Sequence, residues 1–456
     1  MSRCTLHHRW IVLCAVMIAG ASLGRQALAN NEVPGSPQAR PIALTHAMVH
    51  PVTAAPIEDA TIVFDQGRIV AVGKDVTIPA GAEVIDLAGG HVYPGLFGGP
   101  SDIGLTEISS VRATRDESET GQFNPNARAE VAVNPDSEHI PVTRSNGVLF
   151  SLTAPQGGLI AGSAAVLQLD GWTFEDMTLH APAAMMIQWP RRRAVGRFGR
   201  DTTSSADQVR DGVDAIEDFF NQAHAYHTLR NANPAAPLDA RLEAMIPVLE
   251  GKVPIIVAAD DASQIQAAVA FAAAHKVRLI IYGGYDAPRC AALLRQHDVP
   301  VIVSAVYRVP QRRHEAVDDP YTLPARLHAA GIRFTIAGTG RFGASMLRNL
   351  GFHAGTAAAH GLDRVEALRA VTLYPAQVFG VGDRIGSLEV GKDASLIITD
   401  GDPLEITTQV LAAYLQGREV ELNDRHKRLW HKYERKYQRQ ETPSIAGQAK
   451  QQPPTP

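Results

Sequence analysis

The segment Val253–Gly338 alternates in a way that leaves few architectures open. It holds four continuous apolar runs, VPIIVAAD, VRLIIYGG, VPVIVSAV and IRFTIAG, with helical patterns such as ASQIQAAVAFAAAHK and PRCAALLRQHD between them. An apolar run without polar alternation marks a strand buried on both faces, and such strands belong to sheets covered by helices. Strand–helix repetition returns the chain to the same edge each time, so the sheet it builds is parallel. The spacing suits half of a (β/α)8 barrel, whose chemistry sits at the C-terminal strand ends. The other half, within residues 93–250, is less regular, with NGVLFSLTAP, AAVLQLDGW and AAMMIQWP as candidate strands. The stretch ADQVRDGVDAIEDFFNQAHAYHTLR puts Val209, Val213, Ile216, Phe220 and Ala223 at helical spacing and predicts an amphipathic helix.

Two β-rich stretches flank this region. Residues 41–92 read as short alternating runs broken at Asp65-Gln66-Gly67 and Gly89-Gly90, and residues 384–420 have the same texture. Neither buries enough surface alone, so the two ends are expected to share one layer. The domain reading is a signal peptide 1–29, a linker 30–40, the first part of a β-sandwich 41–92, a barrel 93–378, the second part of the sandwich 379–424, a terminal helix 425–440 and a disordered tail 441–456. The terminal helix carries seven basic residues and one acidic residue through Arg439, with Leu429, Tyr433 and Tyr437 as a stripe that would pack on the barrel.

The N-terminus has the outline of an export signal. Arg3 and Arg9 precede the apolar run WIVLCAVMIAGASLG, and Ala27-Leu28-Ala29 offers small residues for cleavage. The run is short for a membrane span, so the mature chain is expected to be periplasmic with no transmembrane segment. Cleavage removes Arg3, Arg9 and Arg25 and no acidic residue, taking the formal charge from −4 to −7. That balance gives no reason to expect a nucleic-acid partner. It also removes Cys4 and Cys14, so Cys290 remains alone and no intrachain disulfide is possible.

Two long segments carry a family resemblance. IEDATIVFDQGRIVAVG leading through IDLAGGHVYPGL, and EALRAVTLYPAQVFGVGDRIGSLEVGKDASLIITDGDPLE, resemble the amidohydrolase superfamily, specifically its secreted imidazolonepropionase-related branch. VRATRDESETGQFNP, VNPDSEHIPVTRSNGV and GGLIAGSAAVLQLDGWTFEDM resemble that branch too, so the likeness runs from about Pro41 to Tyr437. It implies a distorted (β/α)8 TIM-like barrel with a β-sandwich built from both chain ends. It also implies hydrolysis of non-peptide C–N bonds by water activated on one or two divalent ions, usually zinc, held by histidines and carboxylates at strand ends.

The resemblance assigns positions to those ligands, and the residues there are the wrong kind. The family's histidine pair after Pro94-Gly95 falls on Pro100 and Asp102. The next histidine falls on Ala258, the following one on Gly283, and the metal-binding general base on Gly340. Proline, alanine and glycine offer no side-chain ligand atom. Asp102 and Asp260 are the weak catalytic candidates that remain, and capping of the helix from Ala262 competes for Asp260 and Asp261.

Other groups in the sequence could build a substitute site. His224 and His227 stand i, i+3 on the amphipathic helix and could share a face. His139 lies near Asp136 and Glu138. His353 and His360 follow the last barrel strand. Arg191, Arg192, Arg193, Arg197 and Arg200 form a loop or lid that could attract an anion. Gly338-x-Gly340-x-x-Gly343 has the spelling of a dinucleotide loop, but Asp363 lies in a helical stretch where ribose binding needs a strand end. The expectation is therefore an amidohydrolase-family protein, metal-free and catalytically impaired, that binds a small molecule or a protein partner and needs no cofactor. The alternative is an active, imidazolonepropionase-like hydrolase of amide or cyclic C–N bonds with a divalent metal (Zn) at a non-standard site.

Overall fold

The computed structural model describes residues 33–190, 193–195, 201–203, 206–339 and 343–441. The expected signal peptide lies outside these residues, as do all of the expected tail 441–456 except Glu441 and most of the arginine-rich loop. Five strands open the chain: β1 (Ile42–Val49), β2 (Ile57–Asp65), β3 (Arg68–Gly73), β4 (Glu83–Asp86) and β5 (His91–Pro94). β2 and β3 form a hairpin whose turn residues Gln66 and Gly67 both have positive φ, 48° and 79°. That is the type I′ geometry matching strand twist, and it is why glycine occupies the second position.

The barrel follows. Its strands are β6 (Leu96–Ser101), β7 (Val148–Thr153), β8 (Ile160–Gln168) and β9 (Thr178–Ile187). A small ribbon of β10 (Arg193–Val195) and β11 (Asp201–Thr203) intervenes before β12 (Ile255–Ala259), β13 (Leu279–Gly283), β14 (Val301–Val303) and β15 (Phe334–Ile336). The eight barrel strands lie in one sheet in the order β15-β14-β13-β12-β9-β8-β7-β6. The pairs β6–β7 and β9–β12–β13–β14–β15 are parallel, whereas β8 runs antiparallel to both of its neighbours. The seam between β6 and β15 is bridged by Gly99 N–H to Ala337 O at 3.1 Å. The architecture is thus the expected distorted (β/α)8-like barrel, with one strand reversed. Every residue of β6, β7 and β8 is buried, which explains their mostly apolar pattern, and the polar Ser101, Ser151, Thr153, Ser163 and Gln168 among them are buried as well.

Helices cover the barrel. Ala262–His275 buries Ile265, Ala268, Val269 and Ala272 on one face; it starts at a capping box of Asp261 with Gln264 and stops at Lys276 in the left-handed region. Ala206–Ala232 buries Ile216, Phe220 and Ala223, and Phe220 meets Phe271 edge-on at 4.8 Å.

The chain then returns to the first sheet through β16 (Leu396–Thr399), β17 (Val410–Leu415) and β18 (Arg418–Glu419), with β16 pairing β5. This layer wraps round its own core, which includes Leu44, Ile62, Phe64, Val92, Leu396 and Tyr414. β3 meets the segment entering β16 through Ile69 N–H to Lys392 O at 2.9 Å and Ala394 N–H to Gly67 O at 2.8 Å. A buried cluster fastens the layer to the barrel. Asp170, after β8, lies 3.1 Å from Arg144 and 3.4 Å from Arg418 in β18. The terminal helix Arg425–Glu441 does not bury the expected stripe: Leu429, Tyr433 and Tyr437 are exposed, while its first turn is tied to the body through Asp424 and Arg428.

Candidate functional site

The C-terminal strand ends enclose a cavity of about 680 Å3. Its floor is Pro100 from β6, Met186 from β9, Ala258 from β12, Tyr282 from β13 and Thr339 beyond β15. Its rim carries Glu107, Arg115, Glu117, His139 and Gln156. A concave space of this size with polar and apolar groups converging on it can take a small molecule, and its lining is richer in polar groups than most such sites. A smaller cavity of about 360 Å3 lies at the opposite end, between Pro254, Leu279, Pro300 and Arg333. His297 and Asp298 line it, and Asp298 is paired with Arg333 at 2.8 Å.

The structure brings Pro100, Asp102 and Ala258 to the mouth together. Asp102 is already engaged: its Oδ1 accepts from Ala344 N–H at 2.5 Å. Gly343, with φ of 51°, leaves the space that this carboxylate occupies. Pro100 contributes its carbonyl, which accepts from Thr339 Oγ1 at 3.0 Å. Gly283 is displaced from the expected role. It pairs with Ala259 across the sheet, while Tyr282 pairs with Ala258 and lines the cavity. A Cβ on Gly283 would stand 2.7 Å from Asp260 Oδ1, so glycine there makes room for that carboxylate. Gly340 lies outside the described residues, and glycine has no side-chain donor in any placement.

Asp260 faces a cation of the protein itself. Its carboxylate is 3.2 Å from Arg308, whose guanidinium lies 5.0 Å from the centre of the Tyr285 ring. Arg312 alongside pairs with Asp286 at 2.5 Å and with Glu315 at 2.7 Å, and Glu315 accepts from Tyr285 Oη at 2.8 Å. These pairs fasten the loops after β12, β13 and β14 to one another.

The remaining candidates separate from the mouth. His224 stacks on His275 at 5.5 Å, and His275 Nε2 lies 2.7 Å from Glu217, all on the outer helices. His227 is 3.7 Å from Glu250. His353 is buried with Nδ1 accepting from Val306 N–H at 3.1 Å, and burial lowers its pKa to about 4. His360 packs edge-on against Tyr321. Cys290 is buried, and burial first, with Asp286 second, pushes its thiol up. Asp363 caps the helix Arg364–Arg369, and Gly340 of the glycine pattern lies outside the described residues. Only His139 reaches the rim. Its Nε2 donates to the Glu107 carbonyl at 3.0 Å, which makes Nδ1 the acceptor in the neutral ring.

Sequence reasoning missed Tyr282 and the Glu117 cluster. Tyr282 is the one hydroxyl-bearing residue in an otherwise apolar strand, and that was the available signal. Burial, opposed by a hydrogen bond with Thr339, raises the pKa of its phenol, so it stands as a neutral O–H at neutral pH. Glu117 is buried, which disfavours its charge. Yet Arg115 at less than normal bonding distance and Thr106 Oγ1 at 3.0 Å hold its carboxyl below the ordinary value.

The sequence profile described as "Amidohydrolase family" matches residues 178–423. This chain belongs to the amidohydrolase family. Among curated amidohydrolase-like proteins it is 34% identical over 67 residues to "Amidohydrolase tasK" of Hapsidospora irregularis, covering 15% of this chain and 6% of that protein. It is 43% identical over 58 residues to "N-substituted formamide deformylase" of Arthrobacter pascens, covering 11% of each. The matches thus span about a tenth or less of those relatives' lengths. Among solved structures, an amidohydrolase from Thermotoga maritima MSB8 superposes with a TM-score of 0.73 at 24% identity, covering 83% of this chain and 99% of that one. A Xaa-Pro dipeptidase with bound methionine superposes with a TM-score of 0.53 at 14% identity, covering 84% and 100%. At these identities the likeness concerns the amidohydrolase fold.

The mouth can be tested against the divalent metal usual in this family. A zinc centre needs three or four nitrogen, sulfur or carboxylate donors converging on one point. Here the strand ends offer a carboxylate committed to a backbone N–H, a neutral phenol and a threonine hydroxyl. Among the described residues no group of three or more His, Cys, Asp or Glu is placed to hold a metal ion. The residues present do not fit the group.

Proposed function

We propose that this amidohydrolase-family chain is a metal-free binding or scaffolding protein that takes a small organic molecule into the barrel mouth. The observation that carries the proposal is the set of side chains at Pro100, Asp102, Ala258 and Tyr282. These positions line the cavity together, and of the four only Asp102 carries a carboxylate, one oxygen of which already accepts from Ala344 N–H. A cavity of about 680 Å3 with a mixed polar and apolar lining remains to bind a ligand. Export to the periplasm is part of the proposal, supported by the Arg3–Ala29 pattern in the sequence. The proposal also takes the resemblance to the secreted imidazolonepropionase-related branch together with a degenerate metal site at Pro100, Asp102, Ala258, Gly283 and Gly340.

The competing reading is a hydrolase of amide or cyclic C–N bonds. Family membership favours it, as does the identity over a short stretch to a protein named as a formamide deformylase. Turnover assays decide between them. The mature protein is incubated with formamides, dipeptides and cyclic ureides, with and without added zinc. The proposal expects no turnover above that of a Tyr282→Phe, Thr339→Val control. Hydrolysis that depends on the mouth residues would establish the competing reading.

A further inference from the structure

The terminal helix Arg425–Glu441 gathers exposed aromatic and basic residues on one element. Its first turn is secured. Asp424 Oδ1 accepts from the His426 and Lys427 N–H groups at 2.7 and 3.0 Å, and Arg428 pairs with Glu138 at 3.0 Å. From Leu429 to Gln438 the residues are exposed apart from half-buried Glu434. Leu429 is 41% exposed, Trp430 60%, Tyr433 49% and Tyr437 58%. At about 100° per residue these four fall on one arc of the helix. Lys432, Arg435 and Lys436 fall on the adjoining arc. Lys432 and Lys436 lie 5.9 Å from the Tyr433 ring centre, and Lys436 5.6 Å from that of Tyr437.

We infer that this helix docks the protein on an anionic phospholipid surface. Tyrosine and tryptophan rings settle at the boundary between headgroups and acyl chains, while neighbouring lysine and arginine side chains meet the lipid phosphates. The charge favours this occupant. The segment 425–439 has seven basic residues and one acidic residue in a chain whose formal charge is −4. A second copy docked through the same face would set the two basic arcs against each other. A nucleic-acid duplex would engage the basic arc but leave the apolar arc in water. The inference is independent of what binds in the barrel mouth.

The test is co-sedimentation of the mature chain with phosphatidylcholine vesicles, with and without phosphatidylglycerol. Emission of Trp430 is read in a Trp172→Phe background, since Trp172 is the other exposed tryptophan among the described residues. Binding to the phosphatidylglycerol vesicles alone, weakened by salt, with a blue shift of Trp430, is the expected result. Lys432→Gln with Lys436→Gln should weaken partitioning about 30-fold, at about 5-fold for each basic residue near the surface. Trp430→Ser with Tyr433→Ser should abolish the bound fraction while leaving the melting temperature unchanged, because both residues are exposed. Equal pelleting with both vesicle types, or unchanged Trp430 emission, would overturn the inference. So would tighter binding to a DNA duplex than to the anionic vesicles, or self-association that covers Trp430 without lipid.

Discussion

Asp102 Oδ1 receives the Ala344 backbone N–H at 2.5 Å, joining the end of the first barrel strand to the chain beyond the last. A side chain at a position where this family is expected to bind metal is thereby used to hold the barrel together. Replacing it should be felt as lost stability. Asp102→Ala removes a hydrogen bond to a charged acceptor, at a cost of about 1.5–3 kcal/mol. Thermal unfolding should show a lowered midpoint, and metal content should not change.

Arg144 and Asp170 make a buried pair that also reaches Arg418 in the other layer. Removing one partner leaves the other charge buried, which costs about 3–5 kcal/mol. Arg144→Ala should therefore destabilise the protein far more than a surface substitution such as Arg40→Ala, whose partner Glu83 is solvated. Chemical denaturation of the two variants checks this.

His353 links stability to pH. Burial lowers its pKa to about 4 from the ordinary 6.5. Between those values the unfolded chain binds the proton and the folded chain does not, so stability rises with pH. The contribution is complete above about pH 6.5, declines as the pH falls, and is gone once the folded group protonates near 4. Protonation at Nδ1 would also break the bond from Val306 N–H. His353→Gln should flatten this part of the stability profile, measured by denaturant unfolding at several pH values.

Most of the frame was legible in the sequence because burial on both faces writes itself as unbroken apolar runs. β12, β13 and the buried second half of β9 fall on such runs, and β7 and β8 on apolar runs interrupted by Ser151, Thr153, Ser163 and Gln168. The direction of β8 was not legible, since an apolar run has no polarity along the chain. The exact strand-end residue was not legible either. Tyr282 and Gly283 are adjacent, and which of them faces the mouth depends on register with β12 and on the turn at Gly283 and Gly284, with φ of 106° and 64°. The Asp260–Arg308 pair joins residues 48 apart in sequence, beyond the ends of β12 and β14 with β13 between them, and lies outside the reach of local pattern.

That register makes a sharp prediction. A quintuple variant with Pro100→His, Asp102→His, Ala258→His, Tyr282→His and Gly340→Asp should bind zinc measurably more tightly than the natural chain. Moving the fourth histidine one residue on, as Gly283→His, should lose most of that gain, because its Cβ would meet Asp260 at 2.7 Å. Calorimetric zinc titration compares the two.

The measurement that bears most directly on the central claim is the metal content of the natural mature protein, purified without chelator and dialysed. Elemental analysis for zinc, manganese and iron should find far less than one equivalent per chain, with unfolding unaffected by added metal. One or more equivalents that survive dialysis, and are lost on replacing Asp102 or Tyr282, would contradict the account.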